Sequence, residues 1–322
     1  MENIVSLVLL DMKGIISEAQ AAELQKVLVH RLYEAKETDR KISNEEYLNR
    51  FIESKRIEGC SERTILYYKS TVTRLFEYVA TPVRWMTTEE IRDYLARYQE
   101  SGKCGKVTID NIRRNLSSFF SWLEEENYIV KSPIRRIHKI RTGFTVKETF
   151  SDENIEKMRD GCDNPRDLAM VDFLLATGVR VGELVNLNRA DINFEERECI
   201  VYGKGAKERR VYFDAKAKIH LLEYLQSRTD DNPALFVTLD SPHDRLKISG
   251  VEIRLRELGR KLQINSVHPH KFRRSMATKA IDKGMPIEQV QKILGHSQID
   301  TTMHYAMVNQ NNVKNSHRKY IS

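Results

Sequence analysis

The chain has 322 residues, with 53 Lys and Arg against 46 Asp and Glu, a net charge of +7 and a pI near 9.1. Hydrophobic residues at 40% and charged residues at 31% exclude a disordered or fibrous chain, and the length suits two domains with true cores. The basic excess fits a polyanionic partner without identifying one, and four scattered cysteines (Cys60, Cys104, Cys162, Cys199) with no CxxC pair exclude a zinc ribbon or disulfide scaffold.

Residues 1–43 read as a leader. Its apolar stretch Ile4 to Leu10 falls far short of the roughly 20 residues that cross a membrane. Glu2 and the lack of a basic n-region argue against a signal peptide, so the expectation is a soluble, cytoplasmic protein with no membrane partner. Ser17 is a candidate N-cap ahead of Ala21, Leu24, Leu28 and Leu32 at helical spacing. Residues 44–130 read as a helical domain. Ser61 precedes a stripe of Ile65, Tyr68, Val72, Leu75, Phe76 and Val79. Thr88 is the expected cap before Ile91, Tyr94, Leu95 and Tyr98. A third helix, starting near Thr108, aligns Ile112, Leu116, Phe119, Phe120 and Leu123, with Arg113 and Arg114 off the stripe. Such stripes are core.

The composition then shifts. Residues 131–147 hold Lys131, Arg135, Arg136, Lys139, Arg141 and Lys147 with no acidic residue among them. Two readings stand: a solvated interdomain linker, or a connector lying along a phosphate backbone. Residues 148–322 form a second domain, expected to be helical over 151–160, 166–178, 214–227, 249–263, 270–283 and 286–294. Its one β-rich patch, 199–202 and 209–213, reads as a hairpin with a glycine-rich tip bearing Lys204. The fold class is therefore mainly α, a helical domain followed by a mixed α/β domain with a small antiparallel sheet.

Four clusters in this second domain carry chemistry. In the segment from Ala176 to Leu184, Gly178 ends a helix and places Arg180 at the start of the next element, with Glu183 able to hold its guanidinium. Lys204 marks the hairpin tip. His270 and Arg273 stand one turn apart at a helix N-terminus. His296 follows Leu294-Gly295, and Tyr305 ends the stretch. Each alone has a bland explanation as a solvated, paired or core residue.

Together they resemble the tyrosine recombinase (phage integrase) family, over roughly residues 44–322. The likeness is strongest in ATGVRVGEL, GKGAKERRV, HPHKFRR and LGHSQIDTTMHY, which match the family's boxes in order and approximate spacing. The resemblance implies a catalytic set of Arg180, Lys204, His270, Arg273, His296 and the nucleophile Tyr305, and a core-binding role for 44–130. Arg274 departs from the His that many members carry there, a position outside that set. Site-specific recombination is implied, through a covalent 3′-phosphotyrosine and a Holliday junction, by a homotetramer on double-stranded DNA with inverted-repeat sites. No cofactor is implied; the chain has no P-loop and no clear carboxylate cluster for metals. The leader exceeds a minimal Xer-type start and tips the expectation to a mobile-element integrase acting at the nucleoid. An Xer-type resolvase and a type IB topoisomerase-like enzyme are the alternatives. Val308, Val313 and Ile321 in the tail read either as a segment docking on a neighbouring subunit or as a frayed end.

Overall fold

The computed structural model describes residues 2–39, 42–101, 104–141, 148–203, 208–296, 298–299 and 302–303. The backbone divides into two compact units, Met1–Phe144 and Thr145–Ser322.

Helices α1 (Glu2–Asp11), α2 (Glu18–Asp39), α3 (Asn44–Ile57), α4 (Glu62–Tyr78), α5 (Thr88–Glu100) and α6 (Lys106–Glu125) build the first unit. Ser17, Ser43 and Ser61 cap α2, α3 and α4, each hydroxyl accepting a backbone N–H three residues on. The cap of α5 is Thr87 rather than Thr88. The Thr87 hydroxyl accepts from Glu90 N at 3.3 Å while Glu90 accepts from Thr87 N at 2.8 Å, closing a capping box that Thr88 has no partner to form. Helix α6 begins two residues before the expected Thr108, because the Gly105 carbonyl accepts from Thr108 N at 2.9 Å. The apolar stripes turn inward as their spacing predicts: Ile65, Val72, Leu75, Ile91, Leu116, Phe119 and Phe120 are buried, and Phe51 of α3 joins them. Truncating one of the phenylalanines to Ala would cost about 3–5 kcal/mol.

The basic segment packs on this same core. Ile134 is buried, and Ile137 and Ile140 lie half-buried against it at every third residue. Ile140 N donates to the buried carboxylate of Asp110 at 3.0 Å, which Arg113 also binds at 2.9 Å. Lys131, Arg135, Arg136, Lys139 and Arg141 all stay exposed. Apolar stems anchor the chain and leave a row of cations outside.

The second unit contains α7 (Asp152–Asp160), α8 (Pro165–Thr177), α9 (Val181–Asn186), a three-stranded antiparallel sheet of β1 (Ile192–Asn193), β2 (Glu198–Tyr202) and β3 (Glu208–Tyr212), then α10 (Ala215–Gln226), α11 (Ile248–Lys261), α12 (Pro269–Asp282) and α13 (Ile287–Leu294). The sheet pairs Cys199 with Val211 and Val201 with Arg209 on its buried face, while Ile200 and Arg210 pair outward. Helix α8 is buried on nearly all sides, as the continuous run from Ala169 to Leu174 requires. Its Asp172 is compensated by Arg159 at 2.7 Å and His220 at 2.5 Å. A smaller cluster of Ala277, Val290 and Leu294 seats α13 on α12. The hairpin tip, 204–207, and the tail, 304–322, lie outside the described residues, and Lys204 and Tyr305 with them. Among the described residues no helix is long and apolar enough to cross a membrane.

Candidate active site

Helix α8 stops at Gly178, whose φ of +58° is a left-handed cap that favours glycine. The chain turns there and delivers Arg180 to the N-cap of α9. Glu183, three residues on, reaches back: its carboxylate accepts from Arg180 N at 2.7 Å and from Arg180 Nη1 at 2.9 Å. The same carboxylate accepts both arms of the Arg209 guanidinium, at 2.7 and 2.6 Å. Burial alone would raise the pKa of Glu183. The Arg209 fork, then the Arg180 backbone N–H, outweigh it and hold the carboxyl below its usual range.

Arg273 enters from α12. It is buried, and it donates from Nη1 to the Gly178 carbonyl at 2.6 Å and from Nη2 to the Leu294 carbonyl. Arg180 Nη2 donates to the next carbonyl, Gly295, at 3.2 Å. The turn that closes α13 is thus held by two guanidiniums from two different helices, and His296 follows directly. Its ring Nδ1 lies 2.9 Å from the hydroxyl of the buried Thr302. Desolvation, reinforced by the charges of Arg273, Arg180 and Arg209, lowers the His296 pKa to about 4. The imidazole is neutral at pH 7. His270 is exposed in the first turn of α12, one turn before Arg273.

Of the six residues singled out in the sequence, Arg180, Arg273 and His296 meet around residues 294–296. His270 shares α12 with Arg273, and Lys204 and Tyr305 lie outside the described residues. Arg209 and Thr302 join the cluster without having been singled out. For Arg209 the signal is the alternation with Val211 along β3; for Thr302 the sequence offers none. Arg180, Arg209 and His296 open onto a cleft of about 1120 Å³, rimmed also by Arg210, Tyr212 and Lys292 and by the carboxylates of Glu208 and Glu288. Glu183 is bound by two of the three guanidiniums while Arg273 lies on backbone carbonyls, so Arg180, Arg209 and Arg273 with Glu183 keep an excess of positive charge. Fork-shaped donors beside a neutral imidazole suit the charge that builds on a phosphodiester as it becomes pentacoordinate.

The family model described as "Phage integrase family" matches residues 148–312, and that of the "Phage integrase, N-terminal SAM-like domain" matches 47–129. The chain is 32% identical over 275 residues to tyrosine recombinase XerA of Pyrococcus furiosus, covering 84% of this chain and 92% of that protein. It is 28% identical over 290 residues to tyrosine recombinase XerC of Oceanobacillus iheyensis, covering 85% and 95% respectively. The Tn1549 transposon integrase, solved in complex with transposon right end DNA, has a like fold, with a TM-score of 0.71 and 17% identity over 86% of this chain and 99% of that one.

Proposed function

Since the chain belongs to the phage integrase family, and so to the tyrosine recombinases that cleave and rejoin DNA, we propose that it is a site-specific recombinase whose cleavage step is carried by Arg180, Lys204, His270, Arg273, His296 and Tyr305. Tyr305 Oη attacks the scissile phosphorus and the bond to the 5′-oxygen breaks. An unperturbed tyrosine has a pKa of about 10, so the phenol needs a base as it attacks, and His270 takes its proton. Arg180 and Arg273 bind the two non-bridging oxygens, neutral His296 donates a further hydrogen bond, and Lys204 gives a proton to the leaving 5′-oxygen. The covalent 3′-phosphotyrosine stores the bond energy until the exchanged 5′-hydroxyl reverses the step.

The observation that carries this reading is the convergence of Arg180 and Arg273, from separate helices, on the turn before His296. It is tested with nicked suicide duplexes tiled across the DNA flanking the chain's own gene. The wild type forms a protein–DNA adduct on one of them. Tyr305→Phe, which removes only the phenolic oxygen, binds that duplex equally and forms none. An adduct persisting in Tyr305→Phe places the nucleophile elsewhere, and no adduct with the wild type sinks the reading.

Within the family we place the chain among integrases of mobile elements. Supporting this is the leader of α1 and α2 ahead of the SAM-like match that begins at residue 47. The first unit with its basic segment serves to hold duplex DNA bearing inverted repeats, and a homotetramer pairs two sites. The DNA bound by the like-folded Tn1549 integrase supports DNA as the partner. Inverted repeats or an excision gene beside the coding sequence separate this reading from an Xer-type resolvase. Pairing of two-site DNA separates it from a topoisomerase-like enzyme acting as a monomer.

A further inference from the structure

The pleat of β3 turns Arg209 to the buried face of the sheet, opposite Val201 and two residues from Val211, while Arg210 faces out and pairs with Glu198 at 2.8 Å. From there its three nitrogens are all used. Nη1 and Nη2 grip the two oxygens of Glu183, and Nε donates to the Ile293 carbonyl at 2.8 Å. Its aliphatic stem covers Gly295, where an added Cβ would meet Arg209 Cδ at 2.8 Å. Arg209 therefore touches both supports of the site: the carboxylate that orients Arg180 and the last turn of α13 that delivers His296.

We propose that Arg209 is a positioning residue for strand cleavage, acting through Glu183 on Arg180. The charge balance gives the reason. Glu183 is a buried carboxylate shared by two guanidiniums. With Arg209 present, Arg180 is one of two counter-charges and keeps donors for a phosphate. Without Arg209 it becomes the sole partner of a buried anion, and the carboxylate competes with the scissile phosphate for the same guanidinium. A lysine at 209 keeps a charge but replaces the two-pronged grip and the Ile293 bond with one point donor.

This inference rests on the assignment of Arg180 to a non-bridging phosphate oxygen made above. The test is single-turnover cleavage by the full chain of the adduct-forming suicide duplex, carrying either a phosphate or a methylphosphonate at the cleaved position. The methylphosphonate lacks one charged oxygen and so asks less of Arg180. On the phosphate, Arg209→Met cleaves about 10²-fold more slowly than wild type and Arg209→Lys, which keeps the counter-charge but loses the two-pronged grip, about tenfold more slowly, with DNA affinity unchanged. On the methylphosphonate each deficit shrinks to within about twofold, as it does for Arg180→Ala, and Arg180→Ala/Arg209→Met is no slower than Arg180→Ala alone. Arg209→Lys keeps the buried anion countered and carries the test if Arg209→Met does not fold. A full deficit of the Arg209 variants on the methylphosphonate, beside a rescued Arg180→Ala, overturns the inference. So do deficits that multiply in the double variant. If Arg180→Ala itself is not rescued, the assignment of Arg180 falls first and takes the inference with it.

Discussion

Arg180 and Arg273 donate to neighbouring carbonyls, those of Gly295 and Leu294, although one caps α9 and the other lies in α12. Two like charges stay close because the backbone dipoles of one turn lie between them, with Glu183 behind. A field set up in this way needs no reorganisation when negative charge develops on a substrate. It also acts on the protein's own groups, His296 first.

Burial and the three arginine charges hold His296 near a pKa of about 4, against an ordinary 6.5. Between those values the unfolded chain binds a proton that the folded chain does not. This contribution to stability is therefore complete above about pH 6.5 and is lost as pH falls through 4. An NMR titration should place the His296 midpoint well below those of exposed histidines. His296→Gln should flatten the fall in stability across the same window. A midpoint near 6.5 would contradict the geometry.

Thr302→Val removes the hydroxyl that sits against His296 Nδ1. With it goes the group that fixes the ring's orientation and tautomer. Cleavage should slow about tenfold at a stability cost of about 1 kcal/mol, with DNA binding unchanged. Adduct formation followed beside urea unfolding measures both, and a wild-type cleavage rate would remove Thr302 from the site.

Lys204→Ala should slow cleavage of an ordinary 5′-oxygen leaving group and be largely rescued by a 5′-bridging sulfur, which departs without a proton. Lys207→Ala is the control from the same connection. Rescue of Lys207→Ala in its place would transfer the role of general acid to that residue.

The exposed cations Lys131, Arg135, Arg136, Lys139 and Arg141 are expected to meet phosphates. Every phosphate left without its cation should lower the slope of log affinity against log salt by about 0.9. Filter binding of wild type and a variant with all five changed to Ala, over a salt series, measures it. Equal slopes would leave these side chains to the solvent. The anchoring isoleucines are untouched by these changes, so the variant should keep its thermal stability.

Much of the site is legible in the sequence because each box is local. Gly178, Arg180 and Glu183 lie within a stretch of six residues, and His270 and Arg273 within one helical turn, so capping and helical spacing bring them together without tertiary information. Arg209 is a different case. Alternation with Val211 puts Arg209 rather than Arg210 on the inner face, but that this face meets Glu183 follows only from the pairing of Val201 with Arg209. Register is a non-local fact. The same holds for β1, two residues that show no alternation of their own and exist by pairing with β2. In the basic segment the charges mask an apolar period of three. Ile134, Ile137 and Ile140 become visible as anchors only against the core they cover.

Position 295 shows how a residue without a functional group is constrained as tightly as one with it. Its backbone has a φ of +63°, and the stem of Arg209 occupies the space where any side chain would begin. The two constraints are independent: relieving the torsion would not make room, and trimming Arg209 would not relieve the torsion. If residues 293–296 were randomised and selected for recombination, Gly295 should therefore return in nearly every survivor. Tolerance to substitution here would need both the torsion and the arginine stem to give way, and a catalogue of chemical groups would miss the position altogether.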